Sequence, residues 1–119
     1  MAKNEIQTTG VNTICDETVI NGDIIAKNDL RIDGYINGNL VTTGRVVVGT
    51  TGIITGDIRC SNIEILGAVH GDIEATDIVT IKGDAKVDGN ITTKRLSVEP
   101  GIFFNGTCKM SNSDSNNKE

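Results

Sequence analysis

One short motif returns along the chain. Glycine, then Asp or Asn, then an aliphatic residue occurs at Gly22-Asp23-Ile24, Gly38-Asn39-Leu40, Gly56-Asp57-Ile58, Gly71-Asp72-Ile73 and Gly89-Asn90-Ile91, with Gly106-Thr107-Cys108 as a degenerate sixth. The intervals are 16, 18, 15, 18 and 17 residues. A period of this length, holding only short apolar pieces, is that of one turn of a solenoid.

Setting each repeat on its glycine aligns the apolar residues. Two places after it stand Ile24, Leu40, Ile58, Ile73, Ile91 and Cys108, and four places after it the mostly small Ala26, Thr42, Cys60, Ala75, Thr93 and Met110. A second pair follows: Leu30 and Ile32, Val46 and Val48, Ile63 and Ile65, Val79 and Ile81, Leu96 and Val98. Two places before the glycine stand Ile20, Ile36, Ile54, Val69, Val87 and Phe104. Within each pair the spacing is two, the period of a strand with one buried face. Three such strands per repeat, separated by Gly, Asn, Asp and Thr corners, predict an all-β chain: one three-sided parallel β-helix of about six coils, rising about 4.8 Å per coil. The interval varies where a corner can absorb it. Ile32 to Ile36 and Ile65 to Val69 take four residues, whereas Val48 to Ile54, Ile81 to Val87 and Val98 to Phe104 take six. A strand tolerates insertion poorly, because a one-residue slip reverses its faces. Ile14 and Ile20 fit the last third of a preceding coil. The expected domain is therefore 12–110, between flexible tails at 1–11 and 111–119, the latter polar and aperiodic.

Composition narrows the function. Aromatic residues make up 3% of the chain, so the core must be aliphatic. A net charge of −5 and a pI near 4.8 argue against nucleic acid as a partner. No apolar run approaches a membrane span, and no signal peptide opens the sequence. Cys15, Cys60 and Cys108 are odd in number and far apart, which points away from disulfides and zinc and toward a reducing cytoplasm.

Candidates for chemistry are few. His70, the single histidine, falls in an outward corner column with Asn21, Asn37, Thr55, Asp88 and Asn105, and reads as surface. The column Asp23, Asn39, Asp57, Asp72, Asn90 suits turn formation better than a cation ladder. No phosphate-binding, dinucleotide or nucleophile-elbow motif occurs. The expectation is no catalytic, cofactor or metal site, and no bound nucleotide.

The surface and the ends are more informative. On the third strand of each coil the outward residues are Val19, Tyr35, Ile53, Ala68, Lys86 and Phe103. Val19, Tyr35, Ile53 and Ala68 form an apolar row of the kind that marks a lateral contact. A β-helix also has two open ends, which solitary solenoids cover with capping units and sheets guard with charge or proline. Here one end is tiled with Ile102, Phe103, Phe104 and Met110, and the other with Ile14 and Ile20. The economical partner for such an end is a second copy of the chain, and open ends at both poles give a filament.

The run from Gly22-Asp23-Ile24 through Asp29-Leu30-Arg31-Ile32-Asp33-Gly34-Tyr35-Ile36-Asn37-Gly38-Asn39-Leu40 resembles the opening of a bactofilin domain. Gly44-Arg45-Val46-Val47-Val48-Gly49 and Phe104-Asn105-Gly106-Thr107-Cys108-Lys109-Met110 resemble later parts of it. The likeness covers nearly all of 13–110. It implies a right-handed β-helix that polymerises end to end without nucleotide into non-polar filaments, with Phe104 at the junction. It also implies a bacterial cytoskeletal scaffold serving cell shape, envelope organisation or division. The implied setting is the cytoplasm, with the inner membrane surface and cell-envelope proteins as further partners. The N-terminal Met1-Ala2-Lys3-Asn4-Glu5-Ile6-Gln7 lacks the apolar or basic character of the membrane-attaching peptide that many bactofilins carry.

The main alternative is a hexapeptide-repeat-like β-helical acyltransferase. Ile24, Leu30 and Ile36 show its six-residue spacing, but coils of 15 to 18 residues break that rhythm, and His70 as its base has no evident acidic partner in the sequence. An ice-binding β-helix would need regular outward Thr ranks, which Thr8-Thr9, Thr42-Thr43, Thr50-Thr51 and Thr92-Thr93 do not make.

Overall fold

The computed structural model of the chain describes residues 11–110. All regular elements within them are strands, and each strand pairs in parallel with its equivalent one coil away. The expected tails lie outside the described residues except for Val11, where the first strand, Val11–Ile14, begins.

Six strands stack on each of three faces. The third face holds Val19–Asn21, Tyr35–Asn37, Ile53–Thr55, Ala68–His70, Lys86–Asp88 and Phe103–Asn105. The first face begins with Ile24–Ala26 and Leu40–Thr42 and ends with Cys108–Met110; the second begins with Val11–Ile14, Asp29–Ile32 and Arg45–Val48. Between these, Ile58–Ile65, Ile73–Ile81 and Ile91–Val98 each run unbroken across both faces. Three separate strands per coil were expected, so this corner is smoother than the sequence suggested. It also carries an irregularity the columns did not separate. Cys60 to Ile63 takes three residues and Ala75 to Val79 four, and the register shifts between Ala75 and Ile78.

The inward columns are the ones the glycine register gave. Ile20, Ile36, Ile54, Val69, Val87 and Phe104 stand opposite one another in order, and the four middle members are fully buried. The core joins them to Leu30, Ile32, Val46, Val48, Ile63, Ile65, Val79 and Ile81. Each fully buried Val or Ile contributes about 1.5–3 kcal/mol, and β-branched side chains suit the pleated wall. The two polar members are satisfied: Thr42 Oγ1 donates to the Asn28 carbonyl (2.7 Å), and Thr93 Oγ1 lies 2.9 Å from the Arg95 carbonyl.

A further inward column escaped the period-two pattern. Thr18, Gly34, Gly52, Gly67, Ala85 and Ile102 stack where the second face turns into the third. The residue after each of the last five donates its amide to the preceding coil, as in Tyr35 N–H to Thr18 O (2.8 Å) and Phe103 N–H to Ala85 O (3.0 Å). Gly34, Gly52, Gly67 and Ala85 are buried. Small residues let the coils approach there, and the column ends on a large one, Ile102.

Candidate assembly interface

The coil ends in two poles, built from equivalent positions. At the C-terminal pole the inward columns finish on Leu96, Val98, Ile102, Phe104, Cys108 and Met110. Columns that are 0–5% exposed in the middle coils end here with Phe104 at 36%, Val98 at 48% and Met110 at 52%, beside an outward Phe103 at 57%. Among the described residues no coil lies above these groups. Cys108 Sγ and Met110 Sδ lie 4.0 Å apart on the first face, and Ile102 is half-buried against the core.

At the N-terminal pole Ile14, Ile20, Ile24 and Ala26 are half-buried against the core. Asn12 heads the column that Leu30 continues, and it is exposed. The structure therefore places Ile102, Phe103, Phe104 and Met110 together at one pole and Ile14 and Ile20 together at the other. The sequence columns contained Val98 and Cys108 but did not mark them as pole residues. The signal was available: each is the last member of its column.

Backbone hydrogen bonds divide between the poles by direction. At the corner from third to first face, each glycine amide donates to the following coil: Gly22 to Asn37 O, Gly38 to Thr55 O, Gly56 to His70 O, Gly71 to Asp88 O and Gly89 to Asn105 O, all at 2.8–2.9 Å. Among the described residues Gly106 N–H has no such acceptor. At the corner from second to third face the direction reverses, so among the described residues the carbonyls of Val98 and Ile102 are the groups left at the C-terminal pole.

Along the outer surface, Val19, Tyr35, Ile53 and Ala68 form one continuous row on the third face, followed by Lys86 and Phe103. Val19, Tyr35 and Ile53 are exposed and Ala68 is half-buried. A neighbouring row on the first face begins Ile25, Val41 and turns charged at Arg59 and Glu74. Ile25, at 82%, is the most exposed of the large apolar residues described, and the sequence reading had not singled it out.

The polar columns act as structure. Asn39 N–H donates to Asp23 Oδ1 (3.0 Å), Asp57 N–H to Asn39 Oδ1 (3.0 Å), Asp72 N–H to Asp57 Oδ1 (3.2 Å), Asn90 N–H to Asp72 Oδ1 (3.2 Å) and Thr107 N–H to Asn90 Oδ1 (3.3 Å). Each side chain thus satisfies the amide that would otherwise lack a partner at the corner. Among the described residues no group of three or more His, Cys, Asp or Glu is placed to hold a metal ion.

His70 does have a carboxylate beside it, which the sequence did not reveal. Asp88 Oδ2 lies 3.9 Å from His70 Nδ1, one coil on, and both side chains are half exposed. A groove of about 670 Å³ follows the first face from Asn39 to Lys109 and does not include His70. Cys60 is buried, and burial pushes its thiol up to about 12. Arg59–Glu74 (3.1 Å), Arg95–Asp77 (2.6 Å) and Lys82–Glu64 tie adjacent coils on the surface. Such exposed pairs each contribute about 0–1 kcal/mol.

Comparison with known proteins agrees with this architecture. Residues 12–109 match the family model of bactofilins, described as polymer-forming cytoskeletal. Bactofilin BacO of Myxococcus xanthus is 35% identical over 104 residues, covering 87% of this chain and 82% of BacO. Bactofilin BacP of the same organism is 26% identical, over 83% of this chain but only 42% of BacP. Among solved structures, a subunit of the double helical filaments of Thermus thermophilus bactofilin superposes with a TM-score of 0.80 at 29% identity, covering 84% of this chain and 99% of that one. The cytoskeletal bactofilin BacA superposes at 0.76 with 31% identity, over 86% and 97% of the two chains. Coil, columns and sequence agree, and the chain belongs to the bactofilin family of polymer-forming cytoskeletal proteins.

Proposed function

We propose that this chain builds filaments end to end through its two poles, with neither nucleotide nor enzymatic activity, and that the filaments serve as a bacterial scaffold for cell shape, envelope organisation or division. One observation carries the reading: columns closed to water throughout the middle coils end, at the C-terminal pole, on exposed Val98, Phe104 and Met110. A second copy docked there removes that apolar area from water without any chemical step. Phe104 sits at the centre of its three-residue strand, flanked by Phe103 and Asn105, so two C-terminal poles can oppose the same aromatic across a two-fold axis. The N-terminal poles, with Ile14 and Ile20, then close the alternate junctions, and the filament has no overall polarity. Assembly takes place in the cytoplasm, and many weak contacts along a polymer add up at an inner membrane surface or an envelope protein.

Negative-stain microscopy and pelleting of the parent chain beside Phe104→Arg test the proposal. Long thin filaments from the parent and small soluble species from the variant, with β circular dichroism unchanged, support it. Filaments from both move the junction away from Phe104.

The row Val19, Tyr35, Ile53, Ala68 is the proposed lateral contact between filaments. The double helical form of the Thermus filament supports side-by-side pairing as an arrangement this fold can adopt. Tyr35→Glu combined with Ile53→Glu is expected to abolish bundles and leave single filaments. Bundles that persist unchanged remove that role.

A further inference from the structure

Asn-Gly occurs three times at the same corner: Asn21-Gly22, Asn37-Gly38 and Asn105-Gly106. It is the dipeptide most prone to spontaneous deamidation, because glycine has no Cβ to shield its backbone nitrogen. In the reaction that nitrogen attacks the asparagine Cγ and gives up its proton to a solvent base. The side-chain nitrogen leaves as ammonia. Water then opens the resulting succinimide at either carbonyl, leaving aspartate or isoaspartate. The attacking atom is the backbone nitrogen of the glycine, so the hydrogen bonding of that N–H controls the step.

The three sites differ in that hydrogen bond. Gly22 N–H donates to Asn37 O and Gly38 N–H to Thr55 O, each at 2.9 Å, inside the coil stack. Gly106 N–H has no acceptor among the described residues, because it belongs to the last described coil. All three glycines share the same extended positive φ, at +138°, +159° and +153°, and all three asparagines are exposed. The amide of Asn105 donates to Asp88 Oδ1 at 3.3 Å. After conversion a carboxylate stands there against a carboxylate, and like charges directly opposite destabilise a strand pair. The new charge would adjoin Phe104.

We infer that Asn105 is a deamidation site controlled by assembly: open while the C-terminal pole is free, closed when a second copy covers it, and inhibitory to junction formation once converted. The covering step rests on the junction proposed above; the difference between the three sites does not. Subunits left unassembled would lose their competence to join, and those inside a filament would keep it.

The test is peptide mapping by mass spectrometry after incubation at mildly alkaline pH. Trypsin places Asn21, Asn37 and Asn105 in three separate peptides. Each site is referred to its own rate in urea, which removes sequence context. Soluble chain, or Phe104→Arg if the parent pellets completely, should convert Asn105 at least about tenfold faster than Asn21 or Asn37, because the latter must first break inter-coil hydrogen bonds. Equal rates at the three sites, or a faster Asn21, would overturn the site. In pelleted parent, Asn105 should slow to the level of Asn37. A fast Asn105 in both fractions would overturn the control by assembly and place the junction elsewhere, while leaving the exposed nitrogen established. Asn105→Asp should pellet less than the parent and Asn105→Gln about as well; normal pelleting of Asn105→Asp would overturn the inhibitory role.

Discussion

The two poles are made from the same three columns of strands, yet they differ in character. The N-terminal coil opens on a polar Asn12 and carries Asp16, Glu17 and Asp23 against Lys27. The C-terminal coil closes on Phe104, Met110 and Val98 and carries Lys94, Arg95 and Lys109 against Glu99. One end is partly guarded in the way sheets guard their edges, with polar and charged groups. The other is left apolar. On the proposed assembly, the C-terminal pole is the junction that apolar burial would drive. The contrast also introduces a tension, since three acids and a base at one end face three bases and an acid at the other. Opposite charge favours a head-to-tail junction, whereas the proposed pairing of like poles rests on apolar burial at the C-terminal end.

Single variants at each pole resolve this, and they carry the largest expected effect. Phe104→Arg places a charge in a central aromatic position, worth at least about 2 kcal/mol, or roughly 30-fold in junction affinity. If the poles pair like with like, Phe104→Arg and Ile20→Arg each leave one junction intact and elute as dimers, and only the double variant is monomeric. If the filament is head-to-tail, each single variant is already monomeric. Monomers from both single variants would sink the non-polar filament.

The middle of the coil and its N-terminal edge give a second contrast. Gly22 (φ +138°) and Gly56 (φ +144°) occupy the same corner position. A Cβ at Gly56 would collide with the Gly38 carbonyl oxygen, whereas at Gly22 it would meet nothing among the described residues. Gly56→Ala is expected to cost about 2–4 kcal/mol. Gly22→Ala should cost only the backbone strain, about 1 kcal/mol. Denaturant titration of assembly-deficient chains measures the gap; equal losses would mean that packing between coils adds nothing at this corner.

Burial sets the core cysteine apart. The Cys60 thiol, raised to about 12 against an ordinary 9.0, stays protonated in the folded chain after the unfolded chain has ionised. Its contribution is fully present below pH 9.0 and is lost as pH rises toward 12. Part of the alkaline loss of stability should therefore vanish in Cys60→Ala. Alkylation near neutral pH should label the exposed Cys15 and Cys108 and spare Cys60 until the chain unfolds.

The smallest effect is expected at Glu17. It is the one non-glycine residue described with positive φ, +67°, in the turn closed by Thr18 N–H to Cys15 O at 3.2 Å. Glu17→Gly should stabilise the N-terminal coil by about 1 kcal/mol, visible as a raised melting temperature. No change would mean that the coil edge yields before the strain matters.

Period two inside each strand, set on the glycine of each repeat, was enough to name the inward columns, because a slip of one residue would turn Ile36 or Val48 to water. The same logic placed Phe104 in a core column and so raised the question of what covers it. It could not separate three short strands from the continuous Ile58–Ile65, nor find the column of Gly34, Gly52, Gly67 and Ala85. Both depend on how tightly one coil lies on the next. Nor could it place Asp88 beside His70, or tell Asn105-Gly106 from Asn21-Gly22. Sequence by itself determined which side chains face inward, since that is a local alternation of the strand. The tertiary structure decided which backbone groups, charges and apolar ends are left open, since those are set by neighbours 15 to 18 residues away that exist only once the coils have stacked.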